Sequence, residues 1–280
     1  MRIDLHTHSS CSDGTDSPTE LVEAAKSAGL DVIAITDHDT TAGWDEAAAA
    51  GERFGVTVVP GAELSCRLGG VQIHMLGYGF DRAEPEFIRE RNLLRDDRER
   101  RAELIVRRCR ELGAPITWEQ VQQIAGSASI GRPHVASALV DAGVVESVDA
   151  AFSSDWLADG GRAYVDKYAL DPYRALDLLR ASGGVAVFAH PAAGARGRIV
   201  TDDQIADLAR AGLRGIEVDH VDHDEAARAR IRGLASELGL VPTGSSDYHG
   251  TRKTVRLGQN TTSQEAYEAL FHDAPWLRGR

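Results

Sequence analysis

Short apolar segments alternate with single helical segments along most of this chain of 280 residues, and this alternation restricts the fold more than any other feature. Some helical segments begin at capping sequences, such as Ser17-Pro18-Thr19-Glu20, which places a proline and a glutamate in the first turn. The strand-like segments are residues 3–5, 32–35, 56–59, 71–76, 164–165, 185–189, 216–218 and 240–243. Strands separated by single helices are typical of parallel sheets, so the pattern predicts an α/β fold, a βα barrel of about seven units.

The alternation is interrupted between residues 84 and 160, where the sequence predicts consecutive helices and no strand. These helices are predicted over residues 85–112, from Thr117 onward, over 133–141 and over 148–157. Two domains follow from this interpretation. Residues 1–83 and 162–280 are expected to form the barrel, and residues 84–161 an all-helical insertion that caps its site.

Composition excludes several classes of protein. Apolar residues make up 42% and charged residues 26%, which is ordinary for a folded domain and excludes disorder as the main state. No apolar stretch approaches the roughly 18 residues of a membrane-spanning helix, so no membrane partner is expected. The net charge of −12 argues against a general nucleic-acid binder. Three cysteines without a CxxC spacing, and a start without an apolar leader, favour a reduced cytoplasmic protein.

Residue types that bind metals fall at or near the ends of the predicted strands. His6 and His8 flank one residue after the first strand, so both imidazoles point to one side of an extended segment. The full candidate set is His6, His8, Asp13, His38, Glu63, His74, His190, Asp247 and His249. Barrel sites lie at the carboxyl ends of strands, so the set predicts a metal centre. The competing interpretation is that some of these are buried histidines bonded to backbone carbonyls.

Other conspicuous residues receive no role in this site. Residues 89–110 hold nine arginines and five acids, which suggest either a nucleic-acid groove or, as we favour, a solvated helix with ion pairs. The expected pairs join residues four apart: Asp96 with Arg100, Asp97 with Arg101, and Glu103 with Arg107. His220, His223 and His272 are not expected to be ligands.

The candidate set, read with Thr36-Asp37-His38 and Ala189-His190-Pro191, resembles the PHP (polymerase and histidinol phosphatase) family. That resemblance implies a distorted seven-stranded (β/α) barrel, two or three divalent metal ions and hydrolysis of phosphoesters. The helical insertion, with Gly131-Arg132-Pro133-His134, is similar to that of one subgroup. The subgroup includes bacterial nucleoside 3′,5′-bisphosphate phosphatases and a related 5′-to-3′ exoribonuclease.

The resemblance also implies three metal positions. The first would be held by His6, His8, Glu63 and Asp247, the second by Glu63, His74 and His190, and the third by Asp13, His38 and His249. Some family members have histidine where this chain has Asp13, so the third position is the least certain. With three ions bound, six neutral imidazoles and three carboxylates would leave roughly +3, which attracts phosphate. Imidazole and carboxylate ligands suit manganese, iron or zinc.

The expected mechanism is in-line attack on phosphorus by a hydroxide that the metals share. The leaving alkoxide needs a proton or a positive partner, and His134 and Asp37 are the candidates. Arg132, His134, Arg196 and Arg198 are the candidate substrate-binding residues. Arginines in polar loops are commonly solvated instead, and His134 lies at a predicted helix start, where it could serve as part of a cap.

The favoured function is therefore hydrolysis of a phosphomonoester of a small metabolite, with a nucleotide (a nucleoside 3′,5′-bisphosphate or AMP) as the substrate. Three alternatives stay open: a 5′-to-3′ exoribonuclease on short RNA, a histidinol phosphate phosphatase, and a non-catalytic metal-binding regulatory module. An exoribonuclease predicts a basic track and strong salt dependence. The expected partner is a small phosphorylated substrate or short RNA, and no obligate protein partner is evident.

Overall fold

The computed structural model describes residues 1–126, 130–166, 168–194 and 197–272. Seven strands form one sheet whose spatial order is the chain order. The strands are β1 (Ile3–Thr7), β2 (Val32–Ile35), β3 (Thr57–Leu68), β4 (Val71–Tyr78), β5 (Val185–Ala189), β6 (Gly215–Asp219) and β7 (Val241–Gly244). The sheet nearly closes, because Thr7 bridges Tyr248 just after the last strand. The predicted seven-stranded α/β barrel is confirmed.

The strand–helix alternation predicted a parallel sheet, but two of the strand pairings are antiparallel. β3 and β4 form a hairpin that turns at Gly69 and Gly70, and β4 also pairs antiparallel with β5. Both glycines have positive φ, 55° and 79°, a backbone region that side chains disfavour. The apolar pair Tyr164 and Val165 is not a strand, which corrects the sequence prediction. Val165 packs instead against a helical core.

The described residues also form helices, which bury apolar faces. They are α1 (Pro18–Ser27), α2 (Trp44–Phe54), α3 (Pro85–Glu111), α4 (Trp118–Ala125), α5 (Arg132–Asp141), α6 (Val148–Ala151), α7 (Pro172–Ala181), α8 (Asp202–Arg210), α9 (Glu225–Leu238) and α10 (Gln264–Phe271). The predicted capping box starts α1, where Ser17 Oγ accepts from the Glu20 N–H and Glu20 accepts from the Ser17 N–H. Leu21 and Val22 of that helix are buried with Ile33 of β2, each contributing about 1.5–3 kcal/mol.

The chain divides into two compact units. One comprises residues 1–91 and 169–280, and the other comprises residues 92–168. The second unit, called the helical unit below, has a core of its own in which Ile105, Val121 and Leu139 are buried. The sequence placed the insertion at 84–161, so this division begins and ends later along the chain. Within the described residues, no helix is long and apolar enough to cross a membrane.

Candidate metal centre

The first strand delivers two imidazoles to one place. His6 lies in β1 and His8 follows it, and the i, i+2 spacing points both rings the same way. Their Nε2 atoms are 3.1 Å apart, and both side chains are fully buried. Two nitrogens that face each other so closely form a ready pair of ligands.

Glu63 of β3 lies at the centre of the cluster with 1% of its side chain exposed. Five ring nitrogens lie near its carboxylate: His6 Nε2 at 3.3 Å, His8 Nε2 at 3.1 Å and His38 Nδ1 at 3.1 Å from Oε2, and His74 Nδ1 at 2.6 Å and His190 Nε2 at 3.1 Å from Oε1. Each carboxylate oxygen therefore faces its own group of imidazoles. This is the arrangement that a carboxylate bridging two cations needs.

The ligand atoms assemble into three overlapping groups. The groups are His6, His8, Glu63 and Asp247; His38, Glu63 and His74; and His8, Asp13, His38 and His249. The first has the same members as the first predicted position. The second has His38 where the prediction had His190, and the third adds His8 to the predicted residues. All nine predicted ligands thus lie in one cluster, while their assignment as metal ligands stays a prediction.

The outer nitrogens of two rings fix their tautomers. His6 Nδ1 lies 3.0 Å from Glu217 Oε1, and His249 Nδ1 lies 2.8 Å from the backbone oxygen of Asp247. Carbonyl and ionised carboxylate oxygens only accept, so Nδ1 carries the proton in the neutral form of both rings. Each Nε2 then keeps a lone pair directed into the cluster, as metal-binding histidines require.

Unsatisfied nitrogens show that the cluster suits a cation. His74 Nδ1 lies 2.6 Å from Glu63 Oε1, yet this buried nitrogen has no hydrogen-bond partner in the described structure, nor does His8 Nδ1. Buried polar atoms normally find partners, and an unmet one costs about 1–3 kcal/mol. Nitrogen and oxygen atoms that approach one another without a hydrogen bond between them can direct their lone pairs at a divalent metal ion.

The pKa shifts show how strongly these charges interact. Burial alone raises the pKa of Glu63, but the imidazoles of His74, His38 and His6 together hold it well below its usual range. Burial lowers the pKa of His8, but Asp247 and Glu63 raise it to about 9. Without metals, protons on His6 and His8 would therefore offset part of the carboxylate charge, in the place where cations would otherwise do so.

Backbone strain is concentrated at the cluster. The non-glycine residues with positive φ in the described chain are Asp39 (φ 55°), His190 (φ 33°) and Asp247 (φ 54°). Asp39 directly follows His38. Such conformations cost about 1–3 kcal/mol each and persist only where the surroundings enforce them. The strain turns the backbone so that His190 and Asp247 reach the site from the ends of β5 and β7.

Asp37, a predicted proton donor, is buried beside the cluster. Its carboxylate accepts hydrogen bonds from Ser9 N at 2.8 Å, Ser9 Oγ at 2.6 Å and Ser12 Oγ at 2.6 Å. These bonds hold the loop after β1, which carries Asp13. The carboxylate is thus engaged by the loop, while its predicted role in proton transfer is untested.

The predicted substrate-binding residues have partners of their own. Arg132 Nη1 donates to Leu157 O at 3.0 Å and to Asp159 Oδ1 at 2.7 Å. His134 Nδ1 accepts from Gly131 N at 3.0 Å, so it caps α5. Arg198 Nη2 donates to Gly70 O at the hairpin turn. Arg196 lies outside the described residues.

Two groups that support Asp247 were missed from the sequence. Lys253 Nζ donates to Asp247 Oδ2 at 2.9 Å, and His220 Nε2 lies 3.4 Å from the same oxygen. Asp247 Oδ1 is left to face His6 and His8. The lysine follows the aspartate by six residues across a tight turn, and no pattern in the sequence indicates this contact.

Comparison with known proteins gives one consistent family. A profile of the PHP domain matches residues 4–117. The chain is 33% identical over 260 residues to a 5′-3′ exoribonuclease from Haemophilus influenzae, covering 92% of this chain and 94% of the relative. It is 33% identical over 255 residues to a 3′,5′-nucleoside bisphosphate phosphatase from Chromobacterium violaceum, covering 88% and 87%.

Two further comparisons extend over nearly the whole chain. A phosphoribosyl 1,2-cyclic phosphate 1,2-diphosphodiesterase from Eggerthella lenta is 34% identical over 253 residues, covering 89% of this chain and 95% of the relative. A solved structure from Bifidobacterium adolescentis, of a protein named as a predicted metal-dependent phosphoesterase, matches with a TM-score of 0.94. It is 35% identical and covers 99% of this chain and 98% of that chain. These proteins share phosphoester chemistry but differ in substrate.

Proposed function

The chain belongs to the PHP family of phosphoesterases, and on that premise we propose that it hydrolyses a phosphomonoester of a small nucleotide, first of all a nucleoside 3′,5′-bisphosphate. The observation that carries this proposal is the buried Glu63 carboxylate with ring nitrogens on both of its oxygens. A phosphatase from Chromobacterium violaceum with that substrate is among the relatives. The cytoplasm is the proposed location, in keeping with three free cysteines.

The nine clustered ligands would hold two or three divalent cations, and manganese, iron or zinc suits them. When bound, such ions lower the pKa of water and neutralise the charge that develops on phosphoryl oxygens. The chain contributes the rest of the arrangement. Glu217 orients His6, and Lys253 binds one carboxylate oxygen of Asp247 so that the other faces the centre.

The proton for the leaving alkoxide has two candidate sources in this proposal. Asp37 accepts three hydrogen bonds from the Ser9–Ser12 loop, which suits a group that holds the loop carrying Asp13. His134 lies at the start of α5 and keeps Nδ1 as an acceptor toward Gly131, so its Nε2 can carry a proton. We therefore favour His134 as the donor.

A 5′-to-3′ exoribonuclease is the second candidate function. The relative from Haemophilus influenzae carries that activity in its name at the same 33% identity as the phosphatase. Both reactions hydrolyse a phosphoester, and the two relatives are equally identical to this chain, so the identities do not separate the two functions. The two functions differ in the length of the substrate that the protein hydrolyses.

The test is phosphate release by the manganese-loaded protein from adenosine 3′,5′-bisphosphate, AMP and histidinol phosphate, together with mononucleotide release from a 5′-phosphorylated trinucleotide. Glu63→Gln is the inactive variant, and Glu52→Gln, which changes an exposed glutamate of α2, is the matched control. We expect release from the bisphosphate by the wild type and Glu52→Gln and none by Glu63→Gln. Cleavage of the trinucleotide alone would replace the proposal by the exoribonuclease, and release from no substrate would refute it.

A further inference from the structure

His190 reaches the candidate metal centre from the end of β5 with a strained backbone. Its φ is 33°, a conformation that persists only where the surroundings enforce it. Its Nε2 lies 3.1 Å from Glu63 Oε1. Its own N–H donates to Glu217 Oε2 at 2.7 Å, which fixes the residue on the amino-terminal side. The loop that follows His190, which begins with Pro191 and Ala192, is held by a different residue.

His223 binds this loop to the end of β6. Its Nε2 accepts a hydrogen bond from Ala192 N at 3.1 Å, and its Nδ1 lies 2.9 Å from Val218 O. A carbonyl oxygen only accepts, so Nδ1 carries the proton and Nε2 keeps the lone pair that Ala192 uses. The residue is 3% exposed, and both ring nitrogens are occupied. His223 therefore joins two strand ends and leaves no nitrogen for a metal ion.

The segment between β6 and α9 holds the His223 ring in place. Arg228 of α9 donates from Nε to His223 O at 3.0 Å and from Nη2 to His220 O at 2.8 Å. The side chain of Asp224 accepts from Ala227 N at 2.8 Å and caps the same helix. The ring is thus attached to a helix as well as to a strand, so its acceptor nitrogen has a fixed position.

We propose that His223 is a positioning residue that holds His190 at the metal centre through the bond to Ala192. The inference rests on the proposed function, since it takes His190 to bind a metal ion. Glu217 and His223 together fix the backbone on both sides of His190. Loss of the Ala192 bond would let the strained loop relax and move the imidazole away from Glu63 Oε1. Groups that orient metal ligands from outside typically contribute 10–100-fold in metal affinity.

Manganese binding to the full-length protein, measured by titration calorimetry, tests this role with two variants of one residue. In His223→Asn the amide lies at the position of Nδ1, so it can donate to Val218 O but does not reach Ala192 N. In His223→Gln the amide oxygen lies at the position of Nε2 and can still accept from Ala192 N. We expect the Kd of one bound manganese ion to rise about tenfold or more in His223→Asn and to stay within about threefold of the wild type in His223→Gln.

A double-mutant comparison separates positioning from a general loss of stability. In a chain that already carries His190→Ala, His223→Asn has no ligand left to position and should weaken manganese binding no further. His272→Asn, the same change at an exposed histidine directly after α10, is the matched control and should bind as the wild type does. A folded His223→Asn that binds manganese like the wild type, or that weakens binding equally with and without His190, would overturn the role.

Hydrogen exchange keeps the test decisive if His223→Asn does not fold. In the metal-free wild type, the Ala192 amide should exchange slowly in NMR spectra because His223 holds it, and exchange at the rate of an open loop would overturn the inference. Failure of the proposed function looks different, because then the manganese-loaded wild type releases neither phosphate nor mononucleotide. A difference in manganese affinity between the two variants of such a protein would support the role of His223 and reject the proposed hydrolysis.

Discussion

Glu63 divides its two carboxylate oxygens between two groups of imidazoles. Oε2 faces His6, His8 and His38, and Oε1 faces His74 and His190. A buried carboxylate is costly unless positive charge compensates it. Glu63 can therefore stay ionised in its buried position on β3 only because cations, or protons on the imidazoles, compensate its charge.

Glu217 supports this centre from outside, because its Oε1 accepts from His6 Nδ1 and its Oε2 accepts from His190 N. In Glu217→Gln, the loss of this negative charge should weaken manganese binding about 10–100-fold while the fold is retained. Titration calorimetry measures the affinity, and Glu237→Gln, at an exposed position of α9, is the control. Equal manganese affinity in both variants would show that Glu217 does not orient the ligand.

Asp37 should behave as a holder of the Asp13 loop. Asp37→Ala leaves the buried donors of Ser9 and Ser12 without an acceptor, so the free energy of unfolding should fall by about 1–3 kcal/mol. Urea unfolding followed by circular dichroism measures this loss. A variant that unfolds like the wild type but has lost turnover would instead support Asp37 as the proton donor.

The residues of the cluster could be predicted from the sequence because their types are chemically distinctive and their spacing matches strand ends. Their supports could not. Lys253 reaches Asp247 only through the turn that follows His249, and His220 contacts Asp247 across two strand ends. Such contacts depend on the tertiary path of loops, which leaves no periodic pattern in the sequence.

At the scale of elements, helix α2 approaches β3 more closely than any side chain on Gly51 would allow. A Cβ there would lie 2.7 Å from Val56 O and 2.8 Å from Val58 Cγ2. Replacement of a helical glycine by alanine usually raises the free energy of unfolding of a protein by about 0.5–1 kcal/mol. At Gly51 the close contact of an added Cβ with Val56 O must make the same replacement destabilising.

Gly51→Ala is therefore expected to lower the free energy of unfolding, by about 1–3 kcal/mol. Gly233 of α9 offers the matched control, since a Cβ there would meet nothing within 4 Å. Gly233→Ala should stabilise the protein by about 0.5–1 kcal/mol. Urea titration of both variants checks the opposite signs, and stabilisation by Gly51→Ala would show that α2 and β3 are less closely packed.

Element prediction from the sequence succeeded where local signals were strong and failed where tertiary pairing decided. The Ser17 and Thr117 capping boxes fixed the starts of α1 and α4. The apolar pair Tyr164 and Val165 looked like a strand, but Val165 packs against a helical core. The glycine pair at 69 and 70 is a local signal of the hairpin that makes β4 antiparallel to β3, although the strand–helix alternation favours a parallel sheet.

At the scale of the whole molecule, two compact units share one chain of net charge −12. The barrel unit collects the carboxylates and imidazoles of the candidate metal centre. Divalent cations bound there would concentrate positive charge at one place on an acidic protein. Such a distribution suits a small anionic ligand better than a long nucleic acid, which needs an extended basic track.

Metal removal should destabilise the whole protein, because cations that bind the folded cluster and not the unfolded chain shift the equilibrium by mass action. We expect EDTA to lower the Tm and excess manganese to raise it in a concentration-dependent way. Differential scanning calorimetry measures both. Glu63→Gln should respond much less to either treatment, and a Tm of the wild type that is indifferent to metals would contradict a metal centre.

Anomalous diffraction from crystals of the manganese-loaded protein would show whether Glu63 is shared between metal ions. We expect one anomalous peak beside each carboxylate oxygen of Glu63, on the sides of His8 and of His74. Anomalous density away from Glu63, or none in crystals whose protein retains bound manganese, would rule out this sharing.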